Sequence, residues 1–140
     1  VTVQTLYTTE VTSSGDGRNG RVRSSDGLLD TALALPKEAG GSGAATNPEQ
    51  LFGAGYSACF HSALRLVARE RKVTLSGDTV VARVGLARDE AGFLLDVDLS
   101  VVLPGLSQAD AESLARDAHG RCPYSRAIRG NVDVTLRVAV

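Results

Sequence analysis

Two thiols and two imidazoles are the first candidates for chemistry in this sequence: Cys59, Cys122, His61 and His119. Cys59 lies in "GYSACF", among small residues in a stretch that reads as a long buried helix. Cys122 lies in "GRCPYSRAIRGN", where Gly120 stops one helix and Pro123 starts a new helical turn reaching about Ile128. Backbone N–H groups at a helix start stabilise a thiolate, so Cys122 has the address of a reactive thiol. The plain alternative is a cysteine in a tight turn before proline. Two cysteines are too few for a secreted disulfide scaffold or a cysteine zinc site. In a reducing compartment a bond between them is transient, catalytic or sensing. Two unrelated buried thiols remain the competing reading, because free cysteine is among the most buried residue types. His61 follows Cys59 by two positions, roughly 200° round a helix, which argues against a Cys–His pair there. His119 meets either thiol only through the fold, and a zinc site needs four scattered residues to converge.

The chain that must position these groups has 140 residues, 43% of them hydrophobic, and a formal net charge of −1. That predicts one domain over residues 1–140, large enough to bury its own core. A nucleic-acid partner is not expected, since no basic footprint is present. The longest apolar stretch, residues 51–68, is interrupted by His61 and Arg65. It falls short of the ~20 apolar residues a membrane span needs, so no membrane association is expected. "VTVQTLYTTE" lacks the charged start and apolar block of a signal peptide, which predicts a cytoplasmic protein. No phosphate-cradling glycine motif follows any strand, so a nucleotide enzyme is not expected.

Periodicity supplies the elements. "TVQTLYTTEVTS" alternates as a two-faced strand, "SGDG" turns, "RNGRVRSS" is a second strand, and "LLDTALAL" a third after the Asp26–Gly27 turn. Residues 36–45 form a glycine-rich loop, either a plain connector or a mobile cover for a pocket. Asn47 as cap, Pro48 at the first helical position and Gln50 three residues after the cap open the central helix. That helix is apolar or small on nearly every side, so it should be buried all round. Its glycines each cost roughly 1 kcal/mol relative to alanine, a cost that close approach by another element would offset. "DTVVARVGLAR" and "FLLDVDLSVVL" form a hairpin, Ser107 caps a helix ending at Gly120, and "NVDVTLRVAV" is a last strand. The order predicts an antiparallel-rich α+β fold.

Three blocks, "GRNGRVRSSDGLL", "TNPEQLFGAGYSACF" and "CPYSRAIRGN", resemble the organic hydroperoxide resistance (Ohr) proteins of the OsmC/Ohr family, in the family's order across nearly the whole chain. The resemblance implies two antiparallel β-rich halves wrapped around long central helices in an intertwined homodimer. It implies a metal-free thiol peroxidase that reduces organic hydroperoxides to alcohols with no bound cofactor, re-reduced by dihydrolipoamide or a lipoylated protein. Carried over by position, Cys59 is the peroxidatic cysteine, Cys122 the resolving one, Arg18 the active-site cation and Glu49 its carboxylate partner. The resemblance also implies a Cys59 sulfenic acid and a Cys59–Cys122 disulfide as intermediates. An OsmC-type stress protein, or a redox sensor with little peroxide turnover, is the alternative. Arg126, Ile128, Gly53 and Ser57 depart from the usual family residues without removing any of these four groups. Glu49 and Cys59 stand about 15 Å apart along an unbroken helix. An arginine serving both must span that distance, meet a bend near Gly53–Gly55, come from the other subunit, or move between them.

Overall fold

The computed structural model describes residues 2–140, and the chain divides into two compact units, Val1–Pro48 and Glu49–Val140. In the first unit β1 (Val11–Ser14), β2 (Arg21–Ser24) and β3 (Asp30–Ala32) form an antiparallel meander, with Ser13 opposite Val22 and Val22 opposite Thr31. The turn into β3 forms where "DG" predicts it. The Asp26 carboxylate accepts from Ser24 Oγ at 2.6 Å and from the Leu28 N–H at 3.0 Å, and Gly27 takes φ 75°.

Two expectations change here. The first strand is much shorter than its alternation implies: residues 2–10 pair with no strand among the described residues. Alternation marks a segment that fits a sheet, but a strand exists only where an edge accepts its hydrogen bonds. The second strand begins at Arg21, because residues Gly17–Asn19 coil into a 3-10 turn that carries Arg18. Residues 36–45 fold back on themselves, with Gly41 N–H bonded to Pro36 O and Gly43 N–H to Leu35 O.

The second unit is built on α1 (Pro48–Glu70), the hairpin β4 (Thr79–Asp89) and β5 (Gly92–Val102), then α2 (Gln108–Arg121), α3 (Pro123–Ile128) and β6 (Val134–Ala139). β4 and β5 pair antiparallel through a turn in which Asp89 Oδ1 accepts from the N–H groups of Ala91 and Gly92. β6 pairs parallel to β5, with Val97 opposite Val134 and Val102 opposite Ala139. A parallel partner cannot be reached by a tight turn, so α2 and α3 form the crossover. Ser107 caps α2 by accepting from the Asp110 N–H at 3.1 Å.

The core of this unit lies where one side of α1 and α2 meets β5. Val97, Leu99, Val101 and Leu103 alternate inward from the strand and its end. They belong to one cluster with Tyr56, Phe60, Leu64 and Val67 of α1 and Ala111, Leu114, Ala115 and Ala118 of α2. α1 is therefore buried along one stripe and not all round: Ala54 and Ala58 are exposed. On another part of its surface His61 Nε2 and Arg65 hold the buried Asp78 carboxylate, at 2.6 Å and 3.0 Å, tying the helix to the entry of β4. The reserved space at its glycines is accounted for. A Cβ on Gly53 would touch Val84 at 3.4 Å, and one on Gly55 would fall 2.6 Å from the Tyr124 hydroxyl oxygen.

Leu99 is fully buried at the centre of this cluster. Leu99→Ala removes transfer energy and leaves a cavity, so it should lower stability by about 3 kcal/mol, read as a drop in the urea midpoint with unchanged slope.

Candidate active site

Both cysteines are free, and their side chains are neighbours. The geometry begins with Pro123. The residue before a proline is driven out of the α region, and Cys122 takes φ −62° and ψ 125°. Its own N–H still bonds Ala118 O at 2.8 Å, closing α2, while its carbonyl accepts from Arg126 N–H at 2.9 Å, opening α3. Cys122 is thus the last cap of one helix and the first cap of the next. α2 ends there, and not at Gly120 as the glycine alone predicts. The site expected for Cys122 beside a helix start is the one it occupies.

A helix start leaves orphan N–H groups, which an N-cap side chain usually satisfies. Cys122 makes no such bond. Instead the Tyr124 N–H, in the first turn of α3, lies near enough to the sulfur of Cys59 from α1 to favour its anion, and the Cys59 and Cys122 side chains are neighbours. Cys122 is completely buried and Cys59 partly exposed. Burial pushes the Cys59 thiol up from its ordinary range and the neighbouring Cys122 pushes it further, while the Tyr124 N–H pulls the other way by favouring the anion.

Behind the thiols lies a polar cluster that cysteine-centred reading of the sequence misses. Tyr56 Oη and Ser125 Oγ are 2.7 Å apart, and His119 Nδ1 is 2.8 Å from the same Ser125 oxygen. Tyr56 is fully buried and Ser125 almost so. Burial raises the Tyr56 phenol, the bond from Ser125 opposes that, and Cys122 adds to the rise. Burial and the Arg129 guanidinium both push the His119 imidazole down, toward its neutral form. A signal for this cluster was present: Tyr56 precedes Cys59, and His119 precedes Cys122, by the three positions that share a helix face.

An aromatic group packs between α1 and α3. Phe52 meets Tyr56 edge-on at 6.0 Å and Tyr124 at 6.2 Å between ring centroids. Phe60, next to Cys59 in the chain, is entirely within the core. His61 points away from Cys59, into its pair with Asp78.

The other two candidate residues are on separate elements. Glu49 lies in the first turn of α1, and α1 runs unbroken past Gly53 and Gly55 to Cys59. Arg18 lies on the Gly17–Asn19 turn of the first unit. Both are engaged in interactions, as are Asn47 and Gln50. Among the described residues no group of three or more His, Cys, Asp or Glu side chains could hold a metal ion, and no helix is long and apolar enough to cross a membrane.

The OsmC-like protein family model matches residues 40–137, which include both cysteines and the Tyr56–Ser125–His119 cluster. The chain belongs to the OsmC/Ohr family. It is 50% identical over 140 residues to organic hydroperoxide resistance protein OhrA of Bacillus subtilis, covering 97% of this chain and 98% of that one. It is 47% identical over 136 residues to the organic hydroperoxide resistance protein of Xanthomonas axonopodis pv. citri, covering 96% and 95%. The crystal structure of an organic hydroperoxide resistance protein from Legionella pneumophila superposes with a TM-score of 0.93 at 53% identity, covering 98% of this chain and all of that one.

Replacing Cys122 by alanine leaves Cys59 its burial but removes the neighbour that helps raise it. In Cys122→Ala the pH midpoint for iodoacetamide alkylation of Cys59 should therefore fall relative to the intact reduced chain. Rate against pH at that one site measures it, and a midpoint that stays or rises contradicts the account.

Proposed function

We propose that this protein is a cysteine-based peroxidase that reduces organic hydroperoxides to alcohols. The observation that carries the reading is that Cys59 and Cys122 are neighbours, with a backbone donor beside the more exposed sulfur. Relatives named for organic hydroperoxide resistance, nearly as long as this chain, support it.

The chemistry follows from the groups. The Cys59 thiolate attacks one oxygen of the O–O bond, and the other leaves as an alkoxide that takes a proton to become the alcohol. An alkoxide needs a fixed positive donor, and a guanidinium keeps its charge at any working pH. The family resemblance assigns that role to Arg18 and gives Glu49 the part of holding it by a charge-assisted pair. Cys59 is left as a sulfenic acid. The Cys122 thiol then displaces its hydroxyl, which departs with the thiol proton as water, and a disulfide remains. A dithiol returns both cysteines to the reduced state at the cost of its own oxidation, and dihydrolipoamide or a lipoylated protein is the donor we assign. Phe52, Tyr56 and Tyr124 pack as an aromatic group on α1 and α3, the helices next to the thiols, and such apolar surface favours alkyl or lipid-type peroxides over hydrogen peroxide.

We further assign the protein to the cytoplasm, as a homodimer. Val3, Leu6, Tyr7 and Leu28 are almost fully exposed in the single chain, the kind of apolar surface that a second copy covers. Sedimentation of the reduced chain should give twice the monomer mass at micromolar concentration; a monomer would rule the dimer out.

The decisive experiment is steady-state reduction of cumene hydroperoxide by dihydrolipoamide. Cys59→Ser should lose nearly all activity. Cys122→Ser should consume about one equivalent of peroxide and then stall or overoxidise. Equal partial losses in both variants contradict these roles, and a single oxidation of the intact chain without turnover would identify a sensor instead.

A further inference from the structure

We propose that Ser125 is a positioning residue: its hydroxyl, bonded at once to Tyr56 and His119, holds the two sulfurs at the separation from which their disulfide forms. The consequence for turnover rests on the peroxidase reading; the geometry does not.

Three helices converge on this one oxygen. Tyr56 comes from α1, His119 from the last turn of α2, and Ser125 itself from the first turn of α3. Each lies three positions from a cysteine: Tyr56 before Cys59, His119 before Cys122, and Ser125 after Cys122. Tyr56 shares a face of α1 with Cys59, while His119 and Ser125 flank the Cys122 corner from α2 and α3, so fixing the hydroxyl contacts constrains where both sulfurs stand. A hydroxyl has one proton to give and lone pairs to receive, so one oxygen can serve both partners at once. Ser125 is 1% exposed, which leaves little room for solvent to take over either bond. The Tyr124 N–H that favours the Cys59 anion belongs to the residue next to Ser125 in α3. Arg129 braces the same corner through His119 O at 2.8 Å, by a route that does not involve the ring nitrogen bonded to Ser125.

The separation matters because a Cys59 sulfenic acid has two fates. With the Cys122 thiol, the S–O bond breaks, the S–S bond forms and water leaves. With a second hydroperoxide, the sulfur gains another oxygen, the hydroperoxide becomes alcohol, and the sulfinic acid is a dead end. The first fate depends steeply on alignment, since small misplacements of reacting groups cost large factors in rate. The second needs only access.

The test uses the full chain and its variants Ser125→Ala, Tyr56→Phe, His119→Ala and His119→Asn, with two measurements. One is the equilibrium of the Cys59–Cys122 pair with glutathione, which gives the effective concentration of one thiol at the other and needs no peroxide. The other is whole-protein mass after excess cumene hydroperoxide, which separates disulfide from sulfinic acid. Ser125→Ala should lower the effective concentration about tenfold or more and shift the product toward sulfinic acid. His119→Ala should follow it, Tyr56→Phe should move the same way by less, and His119→Asn should restore most of the loss by offering a polar atom where Nδ1 stood. A native-fold Ser125→Ala chain with the wild-type glutathione equilibrium overturns the proposal. Should Ser125→Ala not fold, unchanged equilibria in both Tyr56→Phe and His119→Ala overturn it equally. Loss in His119→Asn as deep as in His119→Ala would show that a polar contact at the Nδ1 position does not set the separation of the sulfurs, and positioning would fail. If the intact chain consumes no hydroperoxide while the glutathione equilibria shift as expected, the peroxidase reading falls and the positioning role stands.

Discussion

Proline at position 123 is the constraint from which the thiol site follows. It forbids Cys122 the helical conformation, so α2 must stop and α3 must start in a new direction. The break puts the Cys122 sulfur in the core instead of on a helix surface, and frees the Tyr124 N–H to favour the Cys59 anion. A continuous helix through this segment would have spent that N–H on its own backbone. The sulfur of α1 thus takes the place of an ordinary N-cap side chain, and the contact between the cysteines is a by-product of ending one helix and beginning another.

That arrangement sets opposing electrostatic demands on Cys59. Burial and a second sulfur disfavour its anion, while the backbone donor favours it. Hydrogen bonds to a charged group are roughly twice as strong as neutral ones, so the donor gains about half of its strength only once the proton has left. A thiol that holds its proton at rest and is supported on losing it suits a nucleophile that is selective about when it reacts. The His119 imidazole, bonded to Ser125, is pushed toward its neutral form by burial and by Arg129, which works against a positive charge there.

Much of the architecture was legible in the sequence because it rests on local signals. The Asn47–Pro48 start of α1, the Ser107 cap of α2, the Asp89–Gly92 turn and the short α3 after Pro123 all lie where residue type and spacing put them. What the sequence concealed depends on pairing across the chain. Residues 2–10 alternate as a strand should, yet alternation carries no information about whether an edge is available. The parallel pairing of β6 with β5 is equally silent, since alternation reads the same in either direction. α1 is apolar and small on nearly every side, and only the fold decides that Tyr56, Phe60, Leu64 and Val67 face the core while Ala54 and Ala58 do not. At the thiols, the family motif marked both cysteines, and the helix period held the clue to Tyr56, His119 and Ser125 that attention to the cysteines alone passed over.

The unequal burial of the two sulfurs has a directional consequence for any disulfide between them. An incoming thiolate must approach a disulfide sulfur to displace its partner, and only the Cys59 side has a face toward solvent. Repair would therefore begin with a mixed disulfide at position 59 and expel Cys122 as the departing group, into a pocket from which it cannot be captured by bystander molecules. A wall of core side chains would in this way decide the order in which the two bonds are exchanged.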